Sequence, residues 1–258
     1  MTETTTHAAQ WPRPYWQQSD EQAVLLFFVF GAFPEDLAIP AAKYGSPGLP
    51  EGVELQRFQN AVLARWEGYP LSGALGDLLR EDNAAAFDAA KAAPHVVAIR
   101  GRFPDREGLD YLRDTLGVVA ALLDVGGKAV VDPQILTLFD AKAWREHYLV
   151  EGGAPPRNHV LILCSPEETK GRSWIRTRGM RKFGRPDISL TNVPDREIDR
   201  AGALSERLVE LGALGSRFED GQVIEVDGVA GGLGVALSGD EEDPQFNNTH
   251  AAMGDVRA

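Results

Sequence analysis

Residues 95–132 read HVVAIRGRFPDREGLDYLRDTLGVVAALLDVGGKAVVD, and this stretch decides the fold class. Val96-Val97-Ala98-Ile99 is a short continuous apolar run, the signature of a buried strand. Leu109, Leu112, Leu116, Val119 and Leu123 then recur at spacings of 3, 4, 3 and 4, one face of a helix. Gly126-Gly127 stops that helix, and Ala129-Val130-Val131 reads as a second strand. Strand, helix and strand of this length form the unit that crosses over between parallel strands. The expectation is an α+β (or α/β) fold, a mixed sheet covered by helices and including one β-α-β crossover.

Outward from this unit, strands and helices continue to alternate. Gln22 to Gly31 lies in an apolar run rich in Phe and Val, which suits a strand buried on both faces. Pro34, Pro40, Gly45, Pro47, Gly48 and Pro50 mark a linker that forms an ordered loop or a lid. The spacing of Leu55, Phe58, Val62 and Trp66 predicts an amphipathic helix ended by Gly68 and Pro70. Further helices are expected at Leu71 to Leu79, at Ala84 to Ala92, after the cap Asp140 and along Leu204, Leu208, Leu211 and Leu214. Val160 to Leu163 and Ile188 to Leu190 read as buried strands, and Gln222 to Val226 with Leu233 to Leu237 as a closing hairpin. The domain reading is a flexible segment over 1–20 whose aromatics dock on the body, one domain over 21–238, and an acidic, irregular tail over 239–258.

Charge and cysteine content exclude several functions. The chain has 26 basic and 38 acidic residues among 258, a net charge of −12, which argues against coating nucleic acid or anionic membrane by charge alone. The longest apolar run, Ala23 to Phe33, falls well short of the roughly 20 residues of a spanning helix, and Asp20 and Glu21 precede it where a signal peptide would be basic. Cys164 is the sole cysteine, so neither a disulfide within the chain nor a multi-cysteine metal site can form. Together these features point to the cytoplasm. No phosphate loop, His-Glu-x-x-His, Cys-x-x-Cys or Gly-x-Ser-x-Gly occurs, and no cofactor or metal is expected. Cys164 reads as a small buried residue, Asp132 as a turn former, and His95 and His159 as capping or hydrogen-bonding groups at strand entries. His250 falls in the expected tail.

One segment departs from the average. Lys170 to Arg185, KGRSWIRTRGMRKFGR, carries seven basic residues and no acid, which leaves 19 basic against 38 acidic residues elsewhere, a net of −19. Arginine dominates it, and its planar fork suits bidentate contact with phosphate or carboxylate. An extended Trp174 to Arg178 puts Trp174, Arg176 and Arg178 on one face. Sharp turns at Gly179 and Gly184 would let Arg181, Lys182 and Arg185 converge on one spot. The plainest fate for these arginines is pairing with the protein's own carboxylates. The functional alternatives are a small anion, an acidic protein surface or, least, nucleic acid. The candidate anion- or partner-binding residues are therefore Arg176, Arg178, Arg181, Lys182 and Arg185, with Asp187 and His159 as candidate acid and base.

Gly179-Met180-Arg181-Lys182-Phe183-Gly184-Arg185-Pro186-Asp187-Ile188 and Pro244-Gln245-Phe246-Asn247-Asn248-Thr249-His250 resemble two motifs of uncharacterised bacterial domains of the domain-of-unknown-function kind. In these a Gly-Met-x-x-Phe-Gly-x-Pro-Asp turn leads into a strand, and an Asp-Pro-x-Phe-Asn-Asn-x-His tail closes the domain. The resemblance implies a bacterial cytoplasmic α+β domain with an accessory or immunity-type role, and it carries over no catalytic residue. The leading functional reading is a non-enzymatic interaction protein whose acidic surface masks a basic protein partner. The alternative is an enzyme or sensor that binds a phosphorylated or carboxylated small molecule through residues 170–185.

Overall fold

The computed structural model describes residues 10–37, 49–150, 155–227 and 231–255. Most of the expected Pro34–Pro50 linker lies outside the described residues, as do residues 1–9 and 228–230. The chain divides into two compact units. One comprises Met1–Pro12, Val24–Phe103 and Gly108–Ala154; the other comprises Arg13–Ala23, Pro104–Glu107 and Pro155–Ala258. Where the sequence reading has one domain over 21–238, each of these two units has a sheet and an apolar cluster of its own.

In the first unit, β1 (Gln22–Gly31), β2 (Val53–Gln59), β3 (His95–Pro104), β4 (Gly127–Asp132) and β5 (Thr137–Asp140) form a sheet ordered β2-β3-β1-β4-β5. The 95–132 unit is present as β3, helix α4 (Asp110–Asp124) and β4, but its two strands are not neighbours: β1 lies between them, antiparallel to β4. That position explains the unbroken apolar run in β1. Phe28 and Phe30 pack on one face with Val96, Ala98, Ala129 and Val131, against α2 (Gly73–Asp82) and α3 (Ala84–Ala92) through Leu79, Phe87 and Ala90. The alternate residues Leu25, Phe27 and Val29 are just as buried on the other face. Each fully buried Phe or Leu contributes about 1.5–3 kcal/mol by this removal from water. Gly126 turns the chain from α4 into β4 at φ +131°, and a Cβ there would collide with the Ala32 carbonyl. Asp140 caps α5 (Ala141–Tyr148) as expected, accepting from the amides of Lys142 and Ala143 at 2.8 Å.

The predicted helix over Leu55 to Trp66 is a correction. Residues Val53–Gln59 are extended and pair antiparallel with Gly101–His95 of β3, and only Asn60–Leu63 forms a helical turn, α1. Hydrogen bonding to β3 overrides a spacing that mimicked a helix. Val62 and Trp66, expected on the buried stripe, are 57% and 49% exposed.

In the second unit, β6 (Leu161–Pro166), β7 (Arg172–Arg178), β8 (Asp187–Pro194), β9 (Val223–Ile224), β10 (Leu233–Ser238) and β11 (His250–Asp255) form a sheet ordered β6-β7-β8-β11-β10-β9. β11 runs parallel to β8, and the other pairs are antiparallel. The fold is α+β with mixed pairing. Residues 239–258 are therefore not simply an irregular tail: their small apolar run Ala251-Ala252-Met253 forms an interior strand. Helix α6 (Ile198–Ala213) covers one face, where Leu208 joins Ile175, Ile188, Leu190, Val235 and Met253. Cys164, expected to be buried, is exposed because β6 is an edge strand. Among the described residues, no helix is long and apolar enough to cross a membrane.

Candidate functional site

Between β7 and β8 the chain makes one 3₁₀ turn, Met180–Phe183, flanked by Gly179 at φ +117° and Gly184 at φ +59°. The turns expected at both glycines are present, but the three basic groups do not converge. Adjacent residues of a 3₁₀ turn project about 120° apart, so Arg181 and Lys182 leave in different directions. Arg181 donates to the Asn247 carbonyl at 3.1 Å and pairs with Glu241 at 2.5 Å. Lys182 is fully buried, with Nζ 3.3 Å from the His159 carbonyl.

Arg185, beyond Gly184, is buried in a third place. It donates to both Asp105 oxygens at 3.0 and 3.3 Å and to the carbonyls of Gln17, Gly215 and Ser216. Arg13 pairs with the same carboxylate at 2.7 Å, and Trp16 Nε1 also donates to it. Burial alone would raise the Asp105 pKa, but Arg185 and Arg13 outweigh it and hold the carboxyl below its ordinary range. Arg185 is thus part of the scaffold, and the segment before β1 docks through Arg13 and Trp16. Nothing in the sequence around Asp105 or Arg13 announced this centre.

The candidate acid and base are both sealed. Asp187, 0% exposed, accepts from Thr177 Oγ1 at 2.8 Å, the Met180 amide at 3.3 Å and Asn248 Nδ2 at 2.9 Å. Burial pushes its pKa up to about 6 against these three donors and the Arg178 charge. His159 is also fully buried, with its ring edge-on to Phe183. Neither side chain is exposed to take up or release a proton at a surface-bound ligand.

Arg176 and Arg178 remain, on the sheet face opposite α6, as the alternation predicted. Arg176 is half-buried; Nη1 donates to Ser165 Oγ at 2.8 Å, and its guanidinium lies 4.2 Å from the Trp174 ring centroid. Trp174 is fixed in turn by Nε1 donating to Ser189 Oγ at 2.9 Å and by the edge of Phe246. Arg178 is 6% exposed and donates to the Gln245 carbonyl at 2.6 Å. Among the described residues, neither guanidinium has a carboxylate within 4 Å, and the Nε of each is buried without a partner. Burial lowers the pKa of both; for Arg178 the charges of Asp187 and Asp243 partly offset this, while that of Arg176 adds to it. Beside them His250 stacks on Phe246 at 4.1 Å and bonds Ser238 Oγ at 2.9 Å; burial lowers its pKa, partly offset by Asp243. Phe246 and His250 escape sequence reasoning because β11 is not legible there, and Ser165 and Ser189 because a single hydroxyl on a strand carries no pattern.

The other histidine and carboxylate readings hold. The Phe33 amide donates to His95 Nδ1, and Asp132 accepts from the Gln134 amide across its turn. Among the described residues, no group of His, Cys, Asp and Glu is arranged to hold a metal ion. No protein-family model, curated protein or solved structure matches the chain. The resemblance noted above therefore rests on its two motifs, which pack together. Asn248 Nδ2 donates to the Arg185 carbonyl and to Asp187, the Asp187 amide donates to Thr249, and His250 stands opposite Asp187 in the β8–β11 ladder.

Proposed function

We propose that the second unit is a non-catalytic binding module for a small phosphate- or carboxylate-bearing molecule, held on the sheet face of Trp174, Arg176 and Arg178. One observation carries this reading. Two neighbouring guanidinium groups each bury an Nε without a partner, and among the described residues neither touches a carboxylate, in a chain with 12 more acids than bases. Leaving buried donors unsatisfied costs about 1–3 kcal/mol each, and the mutual repulsion of the two arginines adds to that. An anion would relieve both, with Arg176 as the accessible fork and Arg178 adding charge from behind. The single exposed thiol, Cys164, fits a reducing, cytoplasmic setting.

Thermal unfolding in the presence of phosphate, citrate and sugar phosphates tests the reading. A concentration-dependent rise in melting temperature that is lost in Arg176→Gln and in Arg178→Gln is the expected result. No rise with any of the anions, or an equal rise in both variants, removes it.

A second reading keeps the acidic surface as the functional element. The exposed turn at Asp240, Glu241 and Glu242 follows the exposed Leu237, whose amide also bonds Asp220. Apolar surface rimmed by carboxylates suits a basic protein. Salt-sensitive association with polylysine that disappears in Asp240→Ser/Glu242→Ser supports this reading; association unaffected by the substitutions counts against it.

A further inference from the structure

The first unit holds a cavity of about 480 Å³ where the end of β2, α1 and the α3–β3 connection meet. Its wall is small and apolar at Ala61, Ala64, Ala93 and Pro94, and among the described residues no acid lines it although the chain carries 38. The floor is held by Asn60, which is buried. Its Nδ2 donates to the carbonyls of Ala90 and Ala93 at 3.0 and 2.8 Å, and its Oδ1 accepts from the Tyr69 hydroxyl at 2.8 Å. Asn60 thus caps the carbonyls of Ala90 and Ala93, which weakens the repulsion that the negative end of α3 offers an anion. Lys91 supplies the charge. Its ammonium stands 5.1 Å from the centroid of the Tyr69 ring and 6.0 Å from that of Phe87. Those ring faces orient it, and among the described residues no carboxylate pairs with it. At the His95 wall a second cation, Arg57, is anchored on the Phe33 and Pro34 carbonyls and reaches His95 Nε2 at 3.1 Å.

We propose that this cavity is a binding site for a small monocarboxylate with an apolar body, its carboxylate on Lys91 and its hydrocarbon against Ala61, Ala64 and Ala93. The volume falls within the range of about 300–1,000 Å³ typical of small-molecule sites, and the lining combines apolar wall with few fixed polar groups in the usual way. The site is independent of the Arg176 face, since all its residues belong to the first unit.

Titration of the ¹⁵N-labelled full chain with benzoate and octanoate, and with benzamide as the uncharged counterpart, tests the inference. Saturable amide shifts are expected at Ala61, Ala64 and Ala93 with the carboxylates. Benzamide should bind about tenfold more weakly, and Lys91→Gln should weaken benzoate by about tenfold. Ala64→Trp, which fills the cavity from an exposed position, should abolish the shifts, while Arg176→Gln should leave them unchanged. Absence of saturable shifts with both carboxylates overturns the inference. So does equal binding of benzamide and benzoate, or undiminished benzoate affinity in Lys91→Gln.

Discussion

The second unit contains two pairs of arginines in opposite circumstances. Arg13 and Arg185 face each other across Asp105, and the side chains of all three are no more than 2% exposed. Arg176 and Arg178 lie on one sheet face with hydroxyl and carbonyl partners; among the described residues no carboxylate touches either, and Asp187 and Asp243 act on Arg178 only through space. The residue type is the same and three of the four side chains are buried, yet one pair holds a carboxylate in direct contact and the other does not. A basic island in a sequence therefore says little until its counter-ions are located. Where a carboxylate is built in, the arginines hold chain segments together. The anion site proposed for the second unit rests on the pair that has none.

The largest expected effect breaks the complete pair. Asp105→Asn leaves two buried guanidinium groups without their anion and should lower unfolding free energy by about 3–5 kcal/mol in a urea titration. A variant as stable as the parent would mean that Asp105 is not the centre of this cluster. The second effect concerns pH. The Asp187 carboxyl has its folded pKa raised from 3.8 to about 6, so its contribution to stability is fully present below about pH 4 and lost as pH rises through 6. The parent should therefore gain up to about 3 kcal/mol relative to Asp187→Asn on going from pH 7 to pH 4. A stability difference that stays flat across that window removes the claim. The smallest effect sharpens the comparison from the other side. Without added anion, Arg176→Gln breaks no ion pair and should leave stability unchanged or slightly higher, within about 1 kcal/mol. A loss as large as that of Asp105→Asn would make Arg176 scaffold too.

Much of the fold was legible from periodicity. β1, α4, β4, α5, β8 and α6 each carry a pattern that local physics reads directly, a continuous run for a strand buried on both faces or a 3.6-residue stripe for a covered helix. The misreadings occur where tertiary pairing decides. Leu55, Phe58, Val62 and Trp66 imitate a helix, but hydrogen bonding to β3 draws the first half of that segment into the sheet. His250 to Asp255 looks like tail because its residues are small, yet the strand is accepted between β8 and β10. The face of Trp174, Arg176 and Arg178 was legible from strand alternation alone. That Arg185 and Lys182 turn inward was not, because their partners Asp105 and His159 are remote in sequence.

The parallel pairing of β11 with β8 bears on how the chain is made. β8 and β10 lie on either side of a strand that is synthesised after both, and Arg13 bonds the Ala213 carbonyl across 200 residues. The sheet of the first unit is complete in sequence by Asp140. Translation should therefore present the first sheet early and keep β8 and β10 open until His250–Asp255 emerges, a delay of seconds at about 5–20 residues per second. Ribosome-bound chains stalled before and after that strand should differ in protease sensitivity at β8 and β10 while the first sheet stays protected in both; equal sensitivity would show that the sheet closes without it.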